Sequence, residues 1–358
     1  MARKAKNMVL YLIKRVLSIF PMLLLVLIIT WLISQTLVEE AVLRNMAGLV
    51  DPIVVQEERI RLGLDKPVLL RLAIYLANFF RGNWGESYTI RQGMPVLEIV
   101  SIILPRTIEL VIIPTIIIPI IAVKLGIVSA KHKNKTEDNI VRSVAILGRG
   151  LPVFWFAIVL QLFIGFSFRA FTQGEFFIPI LNANSLDYPM GYYPAPDGAF
   201  RTNFRIIDSF LYNDQGYLFD TILHLVLPMV CMTIVSLAAV TRQTRSSMLE
   251  VLEQDYIRTA RAKGVQESVV LNKHALRNAM IPTSNFIIGG VARRLTGSLL
   301  VETSFNYTGF GYWMVQSIRN GDLAVINGLL VFSSIIILSG ILVADVMYTI
   351  IDPRITYK

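Results

Sequence analysis

The chain has 358 residues, of which 54% are hydrophobic and only 16% are charged, and its mean hydropathy is +0.59. A soluble protein of this length needs more charged and polar residues to cover its surface, so the composition excludes a soluble domain and predicts a membrane protein. The formal net charge is +9, and the single cysteine, Cys231, excludes an internal disulfide and a cysteine-based metal site.

The N-terminal segment is basic and then apolar. Val16 to Val38 form 23 residues without a charge, a longer run than the roughly 7 to 15 expected of a signal-peptide core. No small-x-small cleavage site follows this run. We therefore expect a retained first span, with a cleaved signal as the alternative.

Six apolar runs are long enough for transmembrane helices, since a bilayer core of about 30 Å needs about 20 helical residues. They lie near 16–38, 103–128, 146–168, 220–241, 280–303 and 323–351. Pro114, Pro119 and Pro152 interrupt the second and third runs, which spanning helices tolerate when neighbours satisfy the freed carbonyls. The pattern predicts an all-α membrane protein with six transmembrane helices.

The distribution of Lys and Arg predicts the orientation of these spans. One side, made of 1–15, 124–142, 242–277 and 352–358, holds 19 Lys and Arg against 7 Asp and Glu. The other side, made of 39–98, 169–220 and 302–322, holds 11 against 16. Both termini are therefore predicted to be cytoplasmic. Nucleic-acid binding is not expected, because no basic module with interleaved aromatics is present.

These predictions divide the chain into a cytoplasmic N-terminus with the first span (1–38), an extracytoplasmic segment (39–102) and a membrane core of spans two to six (103–358). The segment 39–102 is predicted to contain a helix followed by a turn at "GNWGES". The residues at helical spacing are Leu62, Leu69, Leu72, Leu76 and Phe79. This segment is either a cap on the span ends or a docking surface for a soluble partner. The extracytoplasmic loop 169–220, rich in Asn, Asp, Pro, Gly and Tyr, is predicted to be irregular.

The cytoplasmic loop 242–280 contains two helical patterns separated by a glycine. The first places apolar residues on one stripe, and so does the second. The stripe residues are Leu249, Leu252, Tyr256 and Ala260, and then Val269, Ala275 or Leu276, and Ala279. Lys263 followed by Gly264 predicts a helix end, because Gly takes the left-handed conformation of a C-terminal cap. Such a segment could be a basic amphipathic anchor in the lipid headgroups, a tether between spans, or a rigid knob presented to a cytoplasmic protein. The acidic residues mixed into it favour the knob.

The stretch "DYIRTARAKG…HALRNAMIP" resembles the cytoplasmic loop of ABC importer permeases, in the form carried by the dipeptide and oligopeptide class. The general importer pattern is Glu-Ala-Ala, three residues, Gly, nine residues and Ile-x-Leu-Pro, and Ala260, Gly264 and Leu276 match it. The departures, which point to the peptide class, are Arg258, Thr259, His274 and Arg277. Further matching segments follow in the family's order: "LGLDKP", "TRSSMLEVLEQDYIRTARAKG", the "VET" and "GFG" of 301–311, and the "DPRI" of 352–355.

One departure follows the first span. Family members commonly have a Pro-Gly-Asp-Pro-like turn there, and in "VEEAVLRNMAGLVDP" only Asp51 and Pro52 resemble it.

The resemblance implies a type I importer-like permease fold in the cell membrane. It also implies three kinds of protein partner besides membrane lipid: a second homologous permease, two ATPase subunits and an extracytoplasmic substrate-binding protein. In the family, the glycine-ended helix docks in a cleft of an ATPase and passes its motion to the spans. The coupling residues implied by position are Asp255, Tyr256, Arg258, Thr259, Ala260, Arg261, Ala262, Lys263 and Gly264. The implied substrates are di- and oligopeptides, with nickel chelates or oligosaccharides as alternatives.

Arg293 and Arg294 lie in the middle of the fifth predicted span, where each arginine costs about 2.5 to 3.5 kcal/mol. The family usually has uncharged residues there. The functional hypothesis is that one of them lines the translocation path and meets acidic groups or a peptide carboxylate. The alternative is a structural ion pair with Asp345, with Glu109 or with the partner permease. Adjacent helical positions are about 100° apart, so we do not expect both side chains to point at one target. His224 and Glu109 are expected to be packing or ion-pair residues rather than proton relays.

The chain lacks the motif of a nucleotide-binding or catalytic protein. No G-x-x-x-x-G-K-[ST] phosphate loop, H-E-x-x-H or G-x-S-x-G is present. We therefore expect neither an enzyme nor a metal site, and no cofactor in this chain, with ATP and Mg bound by partner ATPases. The rivals are a stand-alone secondary transporter, which predicts inverted repeats that we do not see, and a membrane scaffold without a path.

Overall fold

The computed structural model describes residues 2–46, 65–173, 178–185 and 199–351. Within these ranges the chain is helical, and the one β feature is an isolated bridge between Glu86 and Pro95. The turn predicted at Asp51 and Pro52, the helical position of Leu62 and the terminal "DPRI" lie outside the described residues.

The α-helices are numbered in chain order. They are α1 (Ala2–Met46), α2 (Val68–Phe80), α3 (Val96–Lys131), α4 (Thr136–Gly150), α5 (Val153–Leu160), α6 (Ser167–Phe171), α7 (Arg205–Leu211), α8 (Gln215–Leu252), α9 (Asp255–Ala262), α10 (Glu267–Val269), α11 (Leu276–Gly297), α12 (Leu299–Ser304), α13 (Phe310–Asn320) and α14 (Leu323–Ile351). Two segments have the wider π-helical winding, Gln161–Phe166 after α5 and Val270–Ala275 after α10.

Four helices of the described part are long and apolar enough to cross a membrane: Ile13–Gln35 within α1, α3, α8, and Leu323–Met347 within α14. α4 and α5 make a fifth if their bent pair is one span, and the bend between them is 102°. It lies at Leu151 and Pro152, where Leu151 has the extended backbone that residues before proline prefer. Pro114 and Pro119 instead lie inside the continuous α3.

The fifth predicted span, 280–303, corresponds to α11 and α12, which are separated at Ser298. α11 has 22 residues, enough to cross a bilayer core. It is less apolar than the four helices above, because Arg293 and Arg294 lie within it together with several small polar residues. The structure therefore supports four or five of the six predicted spans by length and composition.

Helix boundaries differ from the prediction where polar residues continue a helix. α8 runs from Gln215 to Leu252, past the predicted span 220–241 at both ends. Asp214 caps its N-terminus by accepting a hydrogen bond from the Tyr217 N–H at 2.9 Å. The loop 169–220 is not wholly irregular, because α7 forms within it. α2 and the glycine-containing turn after it confirm the prediction for 68–87.

The chain divides into two compact units, and the first comprises Met1–Ile102 and Trp313–Leu338. Its core contains Leu27, Phe79 and Val331. Asp322 accepts hydrogen bonds from the Ser87 hydroxyl at 2.6 Å and from the Thr89 N–H at 3.1 Å. Burial alone would raise the pKa of Asp322, but these hydrogen bonds outweigh it and hold the pKa below its ordinary value. The carboxylate thus fixes the turn after α2 within this unit.

The second unit comprises Ile103–Tyr312 and Ser339–Lys358. It contains the loop 242–280, the arginine pair of α11 and most of the buried charge of the described residues. One of its apolar clusters gathers Leu110, Leu225, Cys231 and Phe305, so Cys231 is a buried packing residue. The candidate sites below all belong to this unit.

Candidate functional site

The predicted helix end at Gly264 is confirmed in detail. Gly264 has φ +75°, and its N–H donates to the Arg261 carbonyl at 2.9 Å. The Val265 N–H donates to the Ala260 carbonyl at 3.2 Å, and Val265 and Ala260 share one apolar cluster. These two bonds with an apolar contact form a Schellman motif, which ends a helix where a residue adopts the left-handed conformation. The chain therefore reverses direction at a fixed point after α9.

Ile257 attaches α9 to the rest of the unit, and the predicted stripe missed it. Ile257 is fully buried in a cluster with Met248, Val270, Leu271 and others. The predicted stripe assumed a continuous helix from Leu249, but α8 ends at Leu252 and α9 begins only after the extended Gln254. The break shifts the register, so the placement of Tyr256 on the apolar stripe was wrong, and its side chain is exposed.

A second register change explains the error in the other half of the loop. The predicted apolar position Val269 is partly exposed, whereas Val270, Leu271 and Ala275 are buried. The π-helical winding of Val270–Ala275 adds a residue per turn and moves the apolar face by one position. Ala275 and Ala279 were placed correctly.

The outward side of α9 is polar. Asp255 and Arg258 are 95% and 72% exposed, and their side chains are 3.4 Å apart. A lipid anchor needs an apolar face turned to the membrane, but the apolar side of α9 faces the protein. The structure thus disfavours the anchor alternative and leaves a short polar helix held out from the unit.

Two side-chain contacts brace the glycine turn. The guanidinium of Arg261 donates two hydrogen bonds to the carboxylate of Glu267, at 3.1 and 2.7 Å. The Asn278 amide donates to the Tyr256 hydroxyl at 2.6 Å. The hydrogen bonds from Arg261 lower the pKa of Glu267, so the pair stabilises the turn above the ordinary pKa of a glutamate, and that contribution is lost as the pH falls through the lowered value. α9 is thereby tied to the segment that leads into α11.

The "VET" and "GFG" motifs meet around one buried carboxylate. Glu302 accepts hydrogen bonds from the hydroxyls of Ser298 at 2.6 Å and Thr107 at 2.8 Å, and from the Tyr312 N–H at 2.9 Å. A Cβ on Gly309 would lie 2.6 Å from the Thr107 hydroxyl oxygen, so only glycine fits there. These residues therefore fix the path of the chain from α12 to α13.

Replacing Gly311 with alanine should destabilise the protein by about 1–3 kcal/mol, the usual cost of overpacking. The added Cβ would lie 2.4 Å from the Cα of Leu299, which is backbone and cannot rotate away. The measurement is the midpoint temperature of unfolding in detergent. Gly150→Ala is the matched control, since its Cβ would meet nothing within 4 Å. Equal midpoints for both variants would contradict the close contact.

A buried ion pair joins Glu109 of α3 to Arg205 of α7. Arg205 Nε lies 3.2 Å from the carboxylate, and the two side chains are 1% and 4% exposed. The Ile206 N–H also donates to Glu109 at 2.8 Å, and Arg205 donates to the Ala183 carbonyl at 2.5 Å and to Asn184 at 3.0 Å. The expectation of an ion-pair role for Glu109 is confirmed. Nothing in the sequence singled out its partner in the loop.

His224 is likewise a packing residue. It is 4% exposed, and its Nδ1 lies 2.8 Å from the backbone carbonyl of Asp220, one helical turn earlier. These contacts are local to α8.

Arg293 and Arg294 line one cavity of about 270 Å³, so the expectation that they would not share a target was wrong. Helical side chains lean back over the preceding turn, and four residues before the pair stand Gly289 and Gly290. A Cβ on Gly290 would lie 3.1 Å from Nη1 of Arg294 and 3.8 Å from Nη2 of Arg293. The two glycines therefore provide the room in which both guanidinium groups turn toward one space.

The chain matches a known protein family over most of this unit. Residues 122–357 match the family described as binding-protein-dependent transport system inner membrane component. The chain belongs to this family. Since the family is one of inner membrane components and the described residues contain several apolar spans, the protein is a multi-pass membrane protein of the cell membrane.

Individual relatives cover nearly the whole length. The chain is 34% identical to the di/tripeptide transport system permease protein of Pseudomonas aeruginosa (strain UCBPP-PA14), over 86% of this chain and 87% of that one. It is 33% identical to the oligopeptide transport system permease protein of Bacillus subtilis (strain 168), over 97% and 99%. It is 35% identical to the probable D,D-dipeptide transport system permease protein of Escherichia coli (strain K12), over 92% of each. The predicted resemblance to peptide-class permeases is confirmed.

Family membership bears on partners in general terms. A binding-protein-dependent transport component works with a separate binding protein, and the relatives are permease components of transport systems. The relatives are transport proteins, in line with the expectation that this chain is not an enzyme. The predicted coupling residues within 255–264 and the arginine pair both lie inside the matched region.

Proposed function

We propose that the chain is a transmembrane permease subunit of an ATP-driven importer of di- and oligopeptides. The observation that carries this proposal is the similarity, over nearly the whole chain, to relatives named as peptide permeases. The chain forms half of the translocation pathway, and a second homologous permease forms the other half. Two ATPase subunits bind the ATP and Mg, and an extracytoplasmic binding protein delivers the peptide, so this chain needs no cofactor.

The proposed topology has six spans and cytoplasmic termini. α11 is its fifth span and is the least apolar of them. Its membrane placement is supported by the arginine pair, because both guanidinium groups line a cavity of the protein, as charged residues in spanning helices do. The excess of Lys and Arg at one set of span ends supports the orientation.

We assign ATPase coupling to α9 and Gly264, as the sequence resemblance implies. Three features support this role: α9 is short, its polar side is exposed, and its inner side is fixed by the buried Ile257. A helix fixed on one side can pass on a push received on the other, whereas a flexible tether cannot. The Schellman turn and the Arg261–Glu267 pair connect it to α11.

ATP-driven uptake tests the proposed function. The four-protein complex is reconstituted in vesicles with its binding protein outside, and labelled peptide inside the vesicles is measured. We expect uptake of di- and oligopeptides that needs both ATP and the binding protein. Uptake of a nickel chelate or an oligosaccharide in place of peptides would reassign the substrate. Uptake without any ATPase subunit would favour a stand-alone transporter and overturn the proposal.

Replacing Gly264 with proline should reduce retention of the ATPase subunits on the purified permease. Proline requires a negative φ near −65° and lacks the N–H that Gly264 donates to Arg261. Gly264→Asn is the matched control, because asparagine tolerates the left-handed region, and it should retain most of the ATPase. The measurement is the ATPase-to-permease ratio after affinity purification. Full retention in the proline variant would contradict the coupling role of this turn.

A further inference from the structure

The cavity beside α11 carries two positive charges and no described negative one. Arg293 and Arg294 are the only charged side chains among its described lining residues. Across the described part of the chain, neither guanidinium forms an ion pair with a carboxylate. Glu109, one of the predicted partners, is occupied by Arg205. The ion-pair alternative therefore finds no support among the described residues, and the positive charge is left facing the cavity.

The guanidinium group of Arg294 is poorly satisfied by the protein, whereas the side chain of Arg293 is exposed. Nη2 of Arg294 is buried and has no hydrogen-bond partner among the described residues. Its Nε lies 3.4 Å from the Thr115 hydroxyl, which is a long contact for a hydrogen bond. Arg293 lies over the ring of Phe286, with 5.7 Å from its Cζ to the ring centroid. A buried donor without a partner is costly. An anionic ligand that accepts a hydrogen bond from this donor would remove that cost, and its binding here would therefore be favourable.

Size and walls limit what that ligand can be. The cavity of about 270 Å³ is just below the range of about 300–1,000 Å³ typical of sites for whole small molecules. Apart from the arginines its walls are mostly apolar, including Met232, Val235 and Leu300. The space therefore suits one end of a larger molecule, an anionic group with a neighbouring apolar side chain.

We propose that this cavity binds the C-terminal carboxylate of a peptide during its passage, with Arg293 and Arg294 as the receptor. The inference rests on the proposed function and names how the permease itself recognises its substrate. Every peptide with a free C-terminus has this carboxylate whatever its side chains, and planar guanidinium groups bind carboxylates through paired hydrogen bonds. The pair thus lets one site accept many sequences while requiring a free C-terminus.

The test compares uptake of trialanine with uptake of its C-terminal amide. The complex is reconstituted in phosphatidylcholine vesicles, so no anionic lipid is present, and each peptide is supplied at a concentration that gives measurable uptake. Arg294→Gln should lower the acid-to-amide uptake ratio about ten-fold, the factor expected when a charge-assisted hydrogen bond is lost. Arg293→Gln should lower it in the same direction, and Arg294→Lys should restore part of it. The binding protein is unchanged throughout, so its own preference cancels between variant and parent.

Arg142→Gln is the matched control. Arg142 is an exposed arginine of α4 outside this cavity, and its variant should keep the parent ratio. An unchanged ratio in both α11 variants, or an equal fall for acid and amide, would overturn the inference. A fall seen only when anionic lipid is added would assign the cavity to a lipid headgroup and overturn it as well. If the parent complex takes up neither peptide with ATP and binding protein, the proposed function itself fails, which is a distinct result.

Discussion

Replacing Arg205 with methionine should lower the free energy of unfolding by about 3–5 kcal/mol, the cost of removing one partner of a buried ion pair. Arg205 is 1% exposed and links four parts of the unit: Glu109, the Ala183 carbonyl, Asn184 and the Tyr307 hydroxyl. Without it, Glu109 keeps only the Ile206 N–H among the donors that the described residues provide. The carboxylate then loses its hydrogen-bonded counterion, and buried Arg106 is the nearby positive charge that remains to it among the described residues.

The measurement is the midpoint temperature of unfolding in detergent, followed by size-exclusion chromatography of heated samples. Arg142→Met controls for the loss of one positive charge, since Arg142 is exposed and should change the midpoint little. If Arg205→Met unfolds at the temperature of Arg142→Met, the buried pair does not stabilise the unit.

The double substitution Glu109→Gln with Arg205→Met distinguishes the contribution of the ion pair to stability from that of the other hydrogen bonds of Arg205. Removing both charges leaves neither member of the pair buried without the other, and neutral replacements of buried pairs often cost little. We therefore expect the double variant to unfold well above the single Arg205→Met variant. A double variant as unstable as the single one would mean that Asn184 and Tyr307, rather than Glu109, carry the contribution of Arg205.

The long apolar helices could be predicted from the sequence because hydrophobic length acts locally. Val16–Val38 and the run after Leu323 need no tertiary contact to be recognised, and both lie in helices. α11 could not be assigned on the same ground. Its polar residues make it a span only if they face the protein, and where they face depends on the neighbours of α11.

The loop 242–280, with its predicted coupling helix, shows where prediction from helical periodicity fails. Gly264 was predictable, since a positive φ is a property of the residue itself. Ile257 and Val270 were not, because the extended Gln254 shifts the helical register before Ile257 and the π-helical winding after Val269 shifts it again. A helical period of 3.6 residues, counted from before such a break, assigns the wrong residues to the buried face after it.

Contacts between residues far apart in the sequence could not be predicted from it either. Arg205 lies in a loop whose composition gave no reason to choose it over Arg201, and its partner Glu109 is 96 positions away. The shared orientation of Arg293 and Arg294 has a local signal in retrospect, the two glycines one turn earlier. A glycine pair by itself has many explanations. It indicates space for large side chains only when it is considered together with the arginines four residues later.

Replacing Ile257 with alanine should abolish ATP-driven uptake while leaving membrane insertion intact. Ile257 is fully buried, and large-to-small changes at such positions cost about 2–5 kcal/mol. The loss falls on the contact that fixes α9 to the unit, while the membrane spans keep their own packing. We expect normal amounts of protein in the membrane, a lower unfolding midpoint and no transport. Ile257→Val, which costs about 0.5–1.5 kcal/mol, should retain most of the uptake.

The outward face of α9 gives the complementary experiment. Arg258 is 72% exposed, so Arg258→Glu should leave the unfolding midpoint unchanged. It reverses a charge where an ATPase would dock, so it should reduce ATPase retention and uptake together. Loss of transport then has two separable causes, a detached helix in one variant and a changed docking face in the other. Normal uptake per folded complex in both variants would remove α9 from the coupling pathway, because neither its anchorage nor its exposed charge would then matter to transport.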